Sequence, residues 1–255
     1  GRTVEELLAG SKAALFLDFD GTLSPIVKHP EDAVISDSMR DTLKRCSRSF
    51  TVAIVSGRDM DDVKQKTALE SCIYAGSHGF RISGPNGLYR EHEQSAEILP
   101  QLDRLEKALH EKFGEQIDGI RIDRKRYAIA VHYRNVKEEE VIVISTVISD
   151  LLKGFPGFKK SQGKKIIEVR PDIDWHKGKA IRWIMHELHA DASGTVPVYI
   201  GDDITDEDGF RAVNDSGGIS ILVGFHGSSS TASYSLKNVY QVELFLNELA
   251  KLYHE

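Results

Sequence analysis

Cysteine is nearly absent: 255 residues carry two, Cys46 and Cys72. Two thiols cannot make the disulfide framework of a small secreted scaffold, so both are expected to be buried and free. Long apolar runs are missing too, and the N-terminus lacks the basic-then-apolar pattern of a secretory signal, so no membrane span and a cytoplasmic location are expected. Net positive charge is also lacking. A formal charge of −6 argues against a general nucleic-acid binder, whose affinity rests on neutralising phosphates. No Gly-x-x-x-x-Gly-Lys-Ser/Thr loop exists for ATP, and His186-Glu187-Leu188-His189 lacks the His-Glu-x-x-His spacing of a zinc protease. Internal repeats and low-complexity tracts are absent, and Ser228-Ser229-Ser230 reads only as a loop. Gly1 in place of Met leaves open that the chain is part of a longer protein.

What is present is an ordinary globular composition, 40% hydrophobic and 28% charged, long enough for one large domain or two modest ones. The chain turns on Leu15-Phe16-Leu17-Asp18-Phe19-Asp20-Gly21-Thr22-Leu23. The continuous apolar stretch 13–17 fits a strand buried on both faces of a parallel sheet, and such strands carry chemistry at their carboxyl ends. Asp18 and Asp20 at that end have no basic neighbour, so a hard cation is the natural third party. A bare Asp-Gly turn is the plain alternative. A calcium loop is disfavoured because glycine is fourth rather than sixth.

Strand and helix patterns alternate up to residue 90, the signature of a parallel sheet with crossover helices. Ser36 is placed to cap a helix carrying Met39, Leu43 and Cys46. Strand 51–55 runs into Ser56-Gly57-Arg58 and a helix start, an arrangement suited to an anion. Strand 72–75 leads to Gly76-Ser77-His78-Gly79, and Gly84-Pro85-Asn86-Gly87 reads as a hairpin turn. Between 98 and 172 the order changes to helix, two strands, helix, two strands. Leu102, Leu105, Leu109 and Phe113 make the first helical face; Val141, Ile144, Ile148 and Leu151 make the second. This block is expected to be a compact α+β insert that divides a core of 1–97 and 173–255. The core pattern resumes with a helix at 177–188, strands at 196–200 and 219–223, and a terminal amphipathic helix bearing Val242, Phe245, Leu246, Leu249 and Leu252.

Strand 196–200 breaks into Gly201-Asp202-Asp203-Ile204-Thr205-Asp206-Glu207-Asp208, a second acidic strand end. An acidic first turn of a helix would be favourable by itself. Two acidic strand ends in one sheet point instead to a divided metal site. A carboxylate that attacks phosphorus needs a cation and a basic side chain to offset repulsion, and a second acid to serve the leaving oxygen. Asp18 as nucleophile, Asp20 as acid/base and Asp202 as metal ligand meet this list, with Ser56 and a lysine on the phosphoryl oxygens.

Together these motifs resemble the haloacid dehalogenase superfamily of phosphatases. Within it, Ser56-Gly57-Arg58, Gly76-Ser77-His78-Gly79, Val131-His132-Tyr133-Arg134, Glu168-Val169-Arg170-Pro171 and the Gly201–Glu207 run are similar in order to those of trehalose-6-phosphate phosphatases. The resemblance implies an α/β fold, a Rossmann-like core with an inserted cap, and Mg²⁺-dependent hydrolysis of trehalose 6-phosphate through an aspartyl-phosphate. It implies catalytic Asp18, Asp20, Ser56 and Lys177, with Lys179 the competing lysine. It assigns the metal to Asp18, Asp20 and Asp202, supported by Asp203 and Asp206, and the phosphate to Ser56, Gly57 and Lys177. Sugar contacts map to Arg58, His78, Asp123, Lys125, Arg134 and Glu168, with Asp123 one methylene shorter than the usual Glu. It leaves room for a trehalose-phosphate synthase domain or partner. The rival readings are a phosphatase for another sugar phosphate, such as sucrose phosphate, and a non-catalytic regulatory domain of a fused synthase.

Overall fold

The computed structural model describes residues 6, 8, 10–114, 117–163, 165–190 and 192–253. Contacts divide the chain into two compact units, one running to Arg90 and resuming at Trp175, the other covering Glu91–Asp174.

The first unit is built on an eight-stranded sheet. Its strands are β1 (Ala13–Leu17), β2 (Thr51–Val55), β3 (Ile73–Gly76), β4 (Arg81–Ser83), β5 (Tyr89–Glu91), β10 (Val196–Gly201), β11 (Ile219–Val223) and β12 (Tyr234–Leu236), in the order β12-β11-β10-β1-β2-β3-β4-β5. From β12 to β3 all pairs are parallel, and β4 turns back antiparallel on β3. β1 is central, with Leu15 opposite both Val198 and Val52. All five of its residues are buried because successive side chains point to opposite faces and both faces are covered. Leu15 and Leu17 join a core with Met39, Leu43 and Cys46 of α1 (Asp37–Ser49), Val63 of α2 (Met60–Thr67), and Val242, Leu246 and Leu249 of α7 (Val239–Leu252). Ala14 and Phe16 face the other way, toward Ile181 and Ile184 of α5 (Lys177–Glu187) and Phe210 and Val213 of α6 (Glu207–Asp215). Each large apolar side chain so enclosed contributes about 1.5–3 kcal/mol.

Local signals set several of these elements. Ser36 caps α1 by accepting from the Met39 N–H at 3.1 Å. Both cysteines are free and buried. One element carries no clear mark in the sequence: β12 is three residues in a serine-rich loop. α6 starts inside the acidic run, with Glu207 and Asp208 in its first turn. On α7, Leu252 is half exposed instead of facing the core.

The second unit has an antiparallel sheet in the order β6-β7-β9-β8, from β6 (Arg121–Arg124), β7 (Ile129–His132), β8 (Phe158–Gly163) and β9 (Ile166–Pro171). Two helices, α3 (Ser95–Phe113) and α4 (Glu138–Leu152), pack on each other and on this sheet. Their buried apolar residues are Ile98, Leu102, Leu105, Leu109, Phe113, Ile144 and Ile148, matched in the sheet by Ile129, Val131, Ile167 and Val169. Val141 and Leu151 are only partly buried. α3 starts before the expected boundary and runs through Pro100, which lies past the first turn and leaves the Ala96 carbonyl without its helical N–H partner. Among the described residues no helix is long and apolar enough to cross a membrane.

Candidate active site

The two acidic strand ends are neighbours because β1 and β10 pair in parallel. Asp18 extends that ladder, its N–H donating to Ile200 O at 2.9 Å. The residue is 6% exposed, and Oδ1 accepts the Phe19 N–H at 2.8 Å. Beyond it the chain turns at Gly21, with φ +77°. A Cβ there would lie 2.0 Å from Asp202 Oδ2, so only glycine lets the first acidic loop close on the last. Thr22 completes the junction, donating from Oγ1 to Asp202 Oδ1 at 3.2 Å.

Lys177, the first residue of α5, is 2% exposed, and its Nζ lies 3.3 Å from Asp18 Oδ1 and 2.7 Å from Asp206 Oδ1. Asp206 is fully buried and also receives the Tyr199 hydroxyl at 2.5 Å and the Asp202 and Asp203 N–H groups at 2.9 and 3.0 Å. These contacts sort the charges. Burial pushes the Asp18 carboxyl well up, and Asp206 adds to this against the pull of Lys177. Burial, then Asp206, raises Asp202 to about 6. Burial works the same way on Asp206, but Lys177 outweighs it and holds that carboxyl below its ordinary value. Lys177 itself is pushed up, because Asp18 and Asp206 overcome the burial that would lower it.

Asp18, Asp202 and Asp206 each offer an oxygen within 4.8 Å of the others. Asp18 and Asp202 are pushed up by burial first and by the Asp206 charge second, and hard oxygen donors gathered this closely fit a divalent cation such as Mg²⁺. The expected metal ligands are Asp18, Asp20 and Asp202, with Asp203 and Asp206 in support. The Asp20 carboxylate lies in the fork of Arg58, Nε to Oδ2 at 2.7 Å and Nη2 to Oδ1 at 2.8 Å. Arg58, expected to touch sugar, is further held by Asp62 at 2.9 Å and Pro30 O at 2.8 Å. Asp203 is exposed and caps the turn after β10, accepting from Thr205 Oγ1 at 3.1 Å.

Ser56 follows β2 and is 1% exposed, its Oγ accepting the Arg58 N–H at 3.1 Å. His78, at φ +57°, lays its ring against Gly57, whose Cβ would meet Cε1 at 2.8 Å. In the second unit, Lys125 pairs with Glu168 at 2.8 Å. Glu168 stands opposite Ala130, and Ala130 opposite Asp123, so the two acids share one face of the sheet. Asp123 and Arg134 are exposed, and Asp123 Oδ2 lies 3.8 Å from His132 Nε2. Sequence reasoning missed Thr22, Tyr199 and the hold of Arg58 on Asp20. Of these only Tyr199 left a trace, since a tyrosine in an otherwise apolar buried strand must find a partner for its hydroxyl.

The trehalose-phosphatase family model matches residues 16–240. The chain is 39% identical to the trehalose 6-phosphate phosphatase RA3 of Zea mays over 263 residues, 96% of this chain and 73% of that protein. Among solved structures it is similar to a trehalose-6-phosphate phosphatase related protein, with TM-score 0.80 and 26% identity over 94% of this chain and 98% of that one. A haloacid dehalogenase-like hydrolase from Bacteroides thetaiotaomicron shares the fold at 14% identity, with TM-score 0.66 and coverage of 93% and 99%.

Proposed function

The chain belongs to the trehalose-phosphatase family, and from that premise we propose that it is a Mg²⁺-dependent phosphatase of the cytoplasm that hydrolyses trehalose 6-phosphate to trehalose and phosphate. The observation that carries the chemistry is the chain of contacts Asp18–Lys177–Asp206, with Asp202 beside it at the carboxyl edge of a parallel sheet.

In this reading Asp18 is the nucleophile. Its Oδ1 is held by the Phe19 N–H and Lys177, so Oδ2 attacks phosphorus. The new bond from Oδ2 to phosphorus forms as the bond from phosphorus to the sugar oxygen breaks, and Asp20 gives that oxygen its proton. Asp20 then takes a proton from water, which attacks phosphorus, releases phosphate and frees Asp18. Arg58 grips both Asp20 oxygens in the structure, so one of them must leave the fork for Asp20 to carry the proton. Lys177 and Ser56 bear on the phosphoryl oxygens. When bound among Asp18 and its acidic neighbours, Mg²⁺ supplies the positive charge that lets a carboxylate approach a phosphate. The unit at 91–174 serves as the cap and offers Lys125, Glu168, Asp123 and Arg134 to sugar hydroxyls.

The test is steady-state phosphate release over a panel of sugar phosphates. Trehalose 6-phosphate should exceed glucose 6-phosphate and sucrose phosphate in kcat/KM by about a hundredfold or more. Equal rates would sink the sugar assignment. Asp18→Asn should lower turnover by about 10⁴-fold or more with the fold intact, and persisting hydrolysis would reject the nucleophile.

A further inference from the structure

Asp206 carries more hydrogen bonds than a metal ligand can spare. Oδ1 accepts from Lys177 Nζ at 2.7 Å and the Tyr199 hydroxyl at 2.5 Å, and Oδ2 from the N–H groups of Asp202 at 2.9 Å and Asp203 at 3.0 Å. An ionised carboxylate has about four lone-pair positions, so all are taken. Asp202 differs: it accepts from Thr22 Oγ1 and otherwise turns toward Asp18.

The hydroxyl that fills the fourth position is held firmly in place. Tyr199 lies on β10 with no exposed surface. Its ring is pressed by α6 at Gly209, where a Cβ would come within 2.8 Å of two ring carbons. On a second side Phe210 meets it edge-on, centroids 5.5 Å apart. Burial beside Asp206 keeps the phenol protonated, so it serves as a donor.

On the phosphatase reading above, we propose that Tyr199 is a positioning residue for catalysis. By filling the last acceptor site of Asp206 it keeps that carboxylate out of the cation's coordination and makes it the anchor from which Lys177 reaches Asp18. Without the hydroxyl, Oδ1 has one donor fewer, Lys177 closes on Asp206, and its longer 3.3 Å contact to Asp18 is the one that gives way. Lys177 bears on charge that develops in the transition state, so the loss falls on kcat rather than KM.

Tyr199→Phe keeps the ring and removes only the donor. The expected result is a fall in kcat of about tenfold, the scale of one hydrogen bond to a charged group, with KM within about twofold and a melting curve close to the parent's. Combined with Asp206→Asn, the substitution should add nothing further, because both act through one group. Calorimetric titration of Mg²⁺ into substrate-free protein should find Asp206→Asn within a few-fold of the parent and Asp202→Asn weakened by about tenfold or more. Unchanged kcat in Tyr199→Phe, full additivity in the double variant, or equal loss of Mg²⁺ affinity in both aspartate variants would overturn the inference. Should Asp206→Asn not fold, the split of kcat from KM in Tyr199→Phe decides alone. A parent protein that releases no phosphate from any sugar phosphate would overturn the phosphatase reading, while the Mg²⁺ titrations would still judge the role of Asp206.

Discussion

Asp202 ionises in a place already crowded with negative charge. Its carboxyl rises from 3.8 to about 6 through burial first and the Asp206 charge second. The unfolded chain therefore loses this proton at lower pH than the native protein does. Between those values the native state binds more protons, so stability from this group is complete below 3.8 and is lost as pH rises through about 6. A divalent cation reverses the loss, because it binds the carboxylate form. The rise in Tm given by saturating Mg²⁺ should thus be several degrees larger at pH 7.5 than at pH 5, and Asp202→Asn should shrink that difference. Equal shifts at the two pH values, measured by calorimetry, would reject this account of the site.

At the scale of elements, the acidic run does a second task through Glu207, the first residue of α6. Its buried carboxylate accepts from Ser230 Oγ at 2.5 Å, the Thr231 N–H and hydroxyl at 2.8 Å each, and His226 Nε2 at 3.0 Å. Since His226 Nδ1 accepts the Ser228 N–H at 3.3 Å, the ring proton sits on Nε2 and points to Glu207. Burial alone would raise this carboxyl, but these donors outweigh it and bring it down to about 2. One side chain thereby pins the loop between β11 and β12, whose sequence has little apolar content of its own. The sign is opposite to that of Asp202: this stability is present above 4.5 and fades as pH falls toward 2. Glu207→Ala should speed hydrogen exchange of the Thr231 amide by about tenfold or more and lower Tm by about 5 °C. An unchanged exchange rate would show that the loop holds without the clamp.

For the whole molecule, Asp18, Asp202 and Asp206 sit in the parallel-sheet unit, and Lys125 and Glu168 in the antiparallel one. The two should be separable by substitution. Lys125→Ala or Glu168→Ala breaks a 2.8 Å pair in the second unit without touching Asp18 or Lys177. Either change should raise KM for trehalose 6-phosphate by about tenfold, while turnover of a small generic substrate such as para-nitrophenyl phosphate stays within about twofold. Parallel losses on both substrates would mean that the pair supports folding instead of sugar recognition.

The sequence by itself determined the strands that carry the chemistry. An apolar run that ends in Asp18, another that ends in Ser56 and a third that ends in Gly201-Asp202 are local patterns, and a strand covered on both faces can be read from its own residues. The helix capped by Ser36 and the helix at Glu138–Leu152 were legible for the same reason. Which acid does what was decided only by tertiary structure. Asp20 is held by Arg58, 38 residues away, and Asp202 by Thr22, 180 residues away. Asp206 is surrounded by Lys177 and Tyr199, which reach it from different elements. A carboxylate's role follows from the donors that occupy its lone pairs and from the burial around it. Those partners come from distant parts of the chain, so spacing alone cannot tell Asp20 from Asp206.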